Sequence, residues 1–279
     1  MTFNIIDDKV RIKLTGAAGL ICSYRNETLL VDPYYSRIGK CQVLFGKVSS
    51  DAIKIRKHVE QIGKISAMVV GHSHFDHAFD IPELSKYTQG KIIGNSSLKT
   101  LMALNGEKGR TTVCKGGEVV TVSDQIRITM LPSVHGRVVM GMVPYPGEIS
   151  AEAKLPLRAR DYKVGQVFSP KIEIGGKTFL HVGSAGFVEK FLAGQHCDVV
   201  FLCVPGWKRM KGYPERILEL TGTKTAVLFH QDDFFRPIES GKRMKNIALA
   251  DVSGMIKKIR SFSRDVEILV PDLYETMEF

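Results

Sequence analysis

No stretch of this chain runs uninterrupted through the ~20 apolar residues that a membrane-crossing helix needs, although hydrophobic residues make up 44% of it. Cysteine is scarce: Cys22, Cys41, Cys114, Cys197 and Cys203 are an odd number with no C-x-x-C spacing. That excludes a disulfide scaffold and a thiolate zinc ribbon, and the thiols read as reduced, mostly core residues. Low-complexity tracts are absent too, so nothing resembling a linker splits the chain. The opening, MTFNIIDDKVRIKL, has acidic residues where a secretory signal would be basic and then apolar. These absences predict one domain over residues 1–279, large enough to bury a sizeable core, with no membrane span and a cytoplasmic location.

What the chain has in excess is positive charge. Its formal net charge is +10, gathered in small clusters at 54–57, 207–211, 241–245 and 257–260. Such a field favours anionic partners. Any single cluster reads most simply as solvated surface, and no arginine-rich or aromatic-interleaved nucleic-acid motif stands out.

Strand-like and helix-like segments alternate throughout. Residues 9–35 read as two or three strands with a polar turn at Arg25-Asn26-Glu27, and 50–63 as a helix capped by Ser50 or Asp51 and stopped by Gly63. A buried strand ISAMVVG and a short helix DIPELSKYTQ follow, then strands at KIIGN, EVVTV and IRITMLPSV. An irregular stretch from Gly136 to Val167 separates these from a hairpin turning at Gly175-Gly176, strands DVVFLCVPG and AVLFHQDD, and a helix YPERILELTG between them. Antiparallel strands giving way to strand–helix alternation predict a layered α/β protein.

The chemistry is concentrated in VVGHSHFDHAFD, residues 69–80, with His72, His74, Asp76 and His77 directly after an apolar run. Side chains two apart on an extended segment point the same way, so His72 and His74 can reach one cation off the strand end. Asp76 and His77 fall where the chain turns into the next helix, aimed at a neighbouring point. A lone histidine is usually a satisfied surface or core residue, but this density favours metal ligation, for which imidazole and carboxylate are suited.

The pattern H-x-H-x-D-H at 72–77 resembles the signature of the metallo-β-lactamase-fold hydrolases, in a branch that includes sugar-phosphate lactonases and phospholipase-like enzymes. Other residues fit in order: His135 in LPSVHG, His230 in TAVLFHQDDF and Asp32 in TLLVDP, so the likeness extends over roughly residues 10–235. The resemblance implies a four-layer αββα sandwich with metals at one edge between the sheets. It also implies His72, His74 and His135 on one cation, Asp76, His77 and His230 on a second, and Asp32 as a support beneath them. In one place the chain departs from the family, whose Gly-Asp-Thr-Gly supplies a bridging aspartate: the matching stretch is HVGSAG, with Ser184 there instead. A neutral hydroxyl bridges two cations poorly, so either one ion binds tightly and a second weakly or not at all, or another group replaces the bridge. Asp232 and Asp233 stand closer in sequence to the site for that role than His181, which strand alternation sends to the opposite face from Ser184.

The expected cofactor is Zn²⁺, one or two ions, with Mn²⁺ or Fe²⁺ as substitutes. Such an ion would bring bound water to a pKa of about 7, making hydroxide the nucleophile. Asp76 is the predicted catalytic residue, orienting that water and passing a proton to the leaving group. The segment 136–167 is long for a connection and reads as a lid insertion, with Arg137, Arg158 and Tyr145 as candidates to meet a small anionic substrate. The predicted function is hydrolysis of a small anionic ester, lactone or phosphoester. A nuclease of the same superfamily and a non-catalytic metal-binding protein are the alternatives, and oligomeric state is left open by the sequence.

Overall fold

Alternation of apolar and polar residues builds the first sheet. In the computed structural model, which describes residues 8–238, 244–248 and 250–279, strands β1 (Arg11–Gly16), β2 (Gly19–Tyr24) and β3 (Glu27–Val31) form an antiparallel meander. Strands β4 (Ile65–Val69), β5 (Lys91–Gly94) and β6 (Thr111–Val113) extend it in parallel. The second sheet repeats that plan: β7 (Val119–Thr121), β8 (Ile126–Pro132), β9 (Phe168–Ile174) and β10 (Lys177–Val182) are antiparallel. Parallel strands β11 (Val199–Cys203), β12 (Thr225–Phe229) and β13 (Glu267–Leu269) complete it. The last strand, β14 (Thr276–Glu278), returns to the first sheet and sets Met277 opposite Ile12 of β1. The hairpin between β9 and β10 turns at Gly175 (φ +55°) and Gly176 (φ +76°), two left-handed positions that glycine adopts without penalty.

Helices α1 (Lys40–Phe45), α2 (Ala52–Ile62), α3 (Phe75–Ala78), α4 (Ile81–Leu84) and α5 (Ser96–Leu104) belong to the first sheet's half of the chain. The second sheet is covered by α6 (Glu189–Leu192), α7 (Glu215–Thr221) and α8 (Val252–Phe262). The signals read for α2 operate: the Asp51 side chain accepts from the Lys54 amide at 3.0 Å, and Gly63 ends the helix at φ +78°.

Strand β11 shows how the layers arise. All five residues, VVFLC, are buried; Val199, Phe201 and Cys203 face the other sheet, whereas Val200 and Leu202 face the helices. Between the sheets Ile12, Leu29 and Val31 meet Ile128, Phe201 and Phe229. Ile55 of α2 and Leu98 of α5 pack outside the first sheet, and Ile217 of α7 and Ile259 of α8 outside the second. Each such side chain contributes ~1.5–3 kcal/mol on burial. The result is the expected four-layer αββα sandwich. All five cysteines are free, with Cys41 alone exposed, and no helix among the described residues is long and apolar enough to cross a membrane. Residues 1–7 of the opening segment and 241–243 of the basic cluster lie outside the described residues.

The 136–167 segment is mostly anchored. Ile149, Leu157, Ala159 and Tyr162 are buried in the outer core of the first sheet, and the Val48 amide donates to the Leu157 carbonyl. Residues 139–142 near its beginning are exposed, as are 146–148 and 150–152 on either side of Ile149.

Candidate metal centre

The chain leaves β3, β4, β8 and β12 at one edge of the sandwich, and each exit carries a residue singled out from the sequence. Asp32 follows β3, His72 to His77 lie in the turn after β4 and in α3, His135 follows β8, and His230 follows β12. Two clusters form, His72 with His74 and His135, and Asp76 with His77 and His230; within each, one ligand atom per residue lies within 4.8 Å of the others. The imidazole rings of His72 and His135 have centroids 4.8 Å apart, and those of His74 and His135 4.7 Å. The Asp76 Oδ2 atom sits 3.4 Å from His230 Nε2 and 3.7 Å from His77 Nε2.

For His77, His135 and His74, hydrogen bonds behind the ring determine which nitrogen is presented. His77 Nδ1 lies 2.8 Å from Asp32 Oδ2; a carboxylate accepts, so Nδ1 carries the proton and Nε2 offers its lone pair to the site. Asp32 is in turn fixed by the Gly71 amide, which donates to Oδ1 at 2.7 Å. His135 Nδ1 donates to the Gly136 carbonyl at 2.6 Å, leaving Nε2 free. His74 is reversed: its Nε2 donates to the Pro144 carbonyl at 2.8 Å, so Nδ1 is the lone-pair atom, 3.1 Å from His72 Nε2. Thus the irregular segment after His135 supplies the group that orients a candidate ligand.

Burial keeps three of these rings neutral. It pushes the His72 pKa well below the usual range, helped by the neighbouring imidazoles, and lowers His74 to about 3 and His135 to about 4. Burial alone would also lower His77, but the carboxylates of Asp32 and Asp76 outweigh it and raise its pKa. For Asp76 burial acts upward, and His77 and His230 overcome it, holding the carboxylate ionised. Three neutral imidazoles, with the lone pairs of His74 Nδ1 and His135 Nε2 presented to the site, beside an ionised carboxylate are a donor set that fits a divalent cation.

Other sequence candidates go elsewhere. Asp232 accepts from the Ala17 amide at 2.9 Å and pairs with Arg37 at 2.5 Å, both side chains buried, so both its oxygens are engaged away from the donor clusters. Asp233 pairs with Arg236 at 2.8 Å. Arg158 reaches the Phe45 carbonyl at the end of α1, while Tyr145 stands edge-on to His74 at 6.3 Å. Ser184 is buried in the turn after β10, where its carbonyl accepts from the Gly186 amide. Before it, Gly183 has no room for a side chain: a Cβ would lie 2.7 Å from the His181 ring and 3.0 Å from Asp32 Oδ2.

His181 points between the sheets, its Nε2 donating to the Ala18 carbonyl at 2.8 Å and its Nδ1 3.9 Å from Asp32 Oδ2. It lies under Asp32, a support that the sequence reading did not assign.

Arg37 was missed entirely. Besides Asp232 it donates to the carbonyls of Arg236 and Asp233, clamping the segment that begins at His230, itself in a left-handed conformation at φ +65°. No local pattern around Arg37 announces this. Removing one partner of a buried ion pair costs about 3–5 kcal/mol, so Arg37→Met should lose that much in urea unfolding. A double variant, Arg37→Met with Asp232→Leu, should recover a good part of it. A loss below about 1 kcal/mol for the single variant would mean the clamp is slack.

Four layers with paired donor clusters at the shared sheet edge define a protein of the metallo-β-lactamase fold with a candidate metal centre. A family model described as a beta-lactamase superfamily domain matches residues 27–232, and the chain belongs to that family. A relative from Staphylococcus aureus (strain MRSA252), described as a metal-dependent hydrolase, is 23% identical over 232 residues, covering 81% of this chain and 87% of the relative. Among solved structures, Igni18, a metallo hydrolase from the archaeon Ignicoccus hospitalis, matches with a TM-score of 0.63 at 17% identity, over 97% of this chain and 98% of that one. CmlA, a diiron β-hydroxylase from Streptomyces venezuelae, matches with a TM-score of 0.60 at 12% identity, over 97% of this chain and 54% of CmlA. At these identities the structural likenesses speak for the fold alone.

Proposed function

We propose that the protein is a metal-dependent hydrolase of a small anionic ester, lactone or phosphoester. The observation that carries this reading is the position of Asp76: an ionised, buried carboxylate within 3.4 Å of His230 Nε2, sharing its edge of the fold with three neutral imidazoles. In this reading His72, His74 and His135 hold one divalent ion, and Asp76, His77 and His230 line the place of a second. A bound ion there would acidify water and polarise the bond to be cleaved. Asp76 accepts a proton from the attacking water and delivers it to the leaving group. His77 and His230 steady the developing oxyanion if the second ion is missing, and Asp32 keeps His77 in its tautomer. Zinc suits this nitrogen- and oxygen-rich donor set, as do manganese and iron. The five free thiols accord with a reducing, cytoplasmic setting.

Ser184 leaves the two clusters without a bridging carboxylate from the turn after β10. We expect one tightly held ion per chain by elemental analysis of protein purified without added metal, rising to two in Ser184→Asp. Two ions in the unaltered protein would mean that another group bridges. No metal in either, even after reconstitution, would overturn the metal-dependent reading.

A further inference from the structure

Beside the first donor cluster lies a cavity of about 770 Å³ with His135 in its lining. Its walls are apolar at Val143, Val164, Val167 and Met210, and two arginines, Arg137 and Arg209, also border it. They come from different halves of the sequence: Arg137 follows His135, and Arg209 ends a short 3-10 turn, Trp207–Arg209, beyond β11. Arg209 donates Nη1 to the carbonyls of Arg137 and Val138 at 3.1 and 3.4 Å. Among the described residues neither guanidinium is in an ion pair, and both side chains are exposed, so two cationic residues without an acidic partner border an apolar groove.

The segment that Arg209 holds continues into a tight hairpin. Val139 and Met142 exchange backbone hydrogen bonds across a turn at Met140 (φ +46°) and Gly141 (φ +80°). A left-handed methionine is strained, and Met140 and Met142 are 86% and 62% exposed. The next residue, Val143, lines the cavity. Groove and hairpin thus combine an apolar surface, two unpaired positive charges and a candidate metal ligand.

We infer that this groove binds an ester or lactone with an apolar acyl body and a remote carboxylate. The carboxylate lies on Arg137 and Arg209, and the scissile carbonyl points toward His135. This inference rests on the hydrolytic reading and narrows its substrate class. A phosphoester carries its charge at the scissile bond and would leave both guanidiniums unused, whereas a carboxylate at the far end of an apolar chain satisfies them. Hydrolysis breaks the acyl C–O bond, puts the hydroxyl of water on the acyl carbon and its remaining proton on the departing alkoxide.

Two esters of matched chain length test the assignment, mono-4-nitrophenyl suberate with a terminal carboxylate and 4-nitrophenyl octanoate without one. The suberate ester should have a kcat/KM about tenfold higher, the worth of a charge-assisted hydrogen bond, and Arg137→Gln should bring the ratio close to one. Calorimetric titration with suberic acid monoamide reads the groove without turnover. Its binding should weaken about tenfold in Arg137→Gln, and also in Arg209→Lys, which keeps a charge but loses the planar fork. Equal kcat/KM for the two esters, or equal monoamide binding by unaltered and Arg137→Gln protein, would overturn the groove assignment. Monoamide binding that depends on Arg137, with neither ester hydrolysed, would uphold the groove and sink the hydrolytic reading instead.

Discussion

Asp76→Ala should lower hydrolytic turnover by about 10²–10⁴, the usual worth of acid–base assistance. The Asp76 carboxylate is within reach of His230 and His77, buried, and kept ionised by those imidazoles against the upward push of burial. It is therefore ionised at neutral pH, the form in which it can orient a water and accept its proton. The ion of the first cluster should survive the change, because His72, His74 and His135 do not depend on Asp76 for their hydrogen bonds. Rate and metal content measured together separate a lost base from a lost site. A variant that keeps its metal and its rate would leave Asp76 a structural ligand and favour a metal protein that does not hydrolyse.

The second large effect is on stability. Metal-free protein should lose stability steeply as the pH falls from 7 to 4. His72, His74 and His135 have folded-state pKa values below that of an unfolded histidine, about 6.5, with His74 at about 3 and His135 at about 4. A depressed histidine binds fewer protons folded than unfolded, so its contribution is complete above about 6.5 and is lost as the pH drops toward the folded value. Each such ring removes about 1.4 kcal/mol per pH unit in that window.

Two groups oppose them: His77, whose pKa the Asp32 and Asp76 carboxylates raise so that its protonation favours the fold as the pH falls from 7, and Asp80 at lower pH. Burial raises the Asp80 pKa to about 6 against the pull of hydrogen bonds from Ser36 and Tyr35, so protonation of Asp80 favours the fold below that pH. Burial also depresses His58 and His181, so the depressed imidazoles outnumber the opposing groups and stability falls as the pH drops from 6 toward 5. Thermal unfolding of chelator-treated protein at pH 7, 6 and 5 measures this. Added zinc should raise the midpoint at pH 7 by mass action. A midpoint that stays level from pH 7 to 5 would mean the rings are not buried in neutral form.

Much of the site was legible because it is local. His72, His74, Asp76 and His77 share one turn after one strand, and the 3.3 Å rise and alternation of an extended chain already place such side chains near one another. Asp32, His135 and His230 each follow an apolar strand, which marks them as strand-end residues wherever the sheets run. The capped helix α2 and the Gly175-Gly176 hairpin were equally readable, since each carries its start or stop signal in its own residues. Edge strands β6, β13 and β14 were not, being three residues long each, too short for a period to show.

The sequence by itself determined which side chains gather at the candidate metal centre: their types, their order, and the strand ends that carry them. Tertiary structure alone decided how they are held. It sent Asp232 to Arg37 rather than to the donor clusters, turned His74 by means of the Pro144 carbonyl 70 positions away, put His181 beneath Asp32, spent Arg158 on α1 and brought Arg209 to Arg137. These pairings depend on which strands neighbour each other and in what register. A periodicity of two or 3.6 residues encodes which face a side chain takes and carries no information about the partner it meets there.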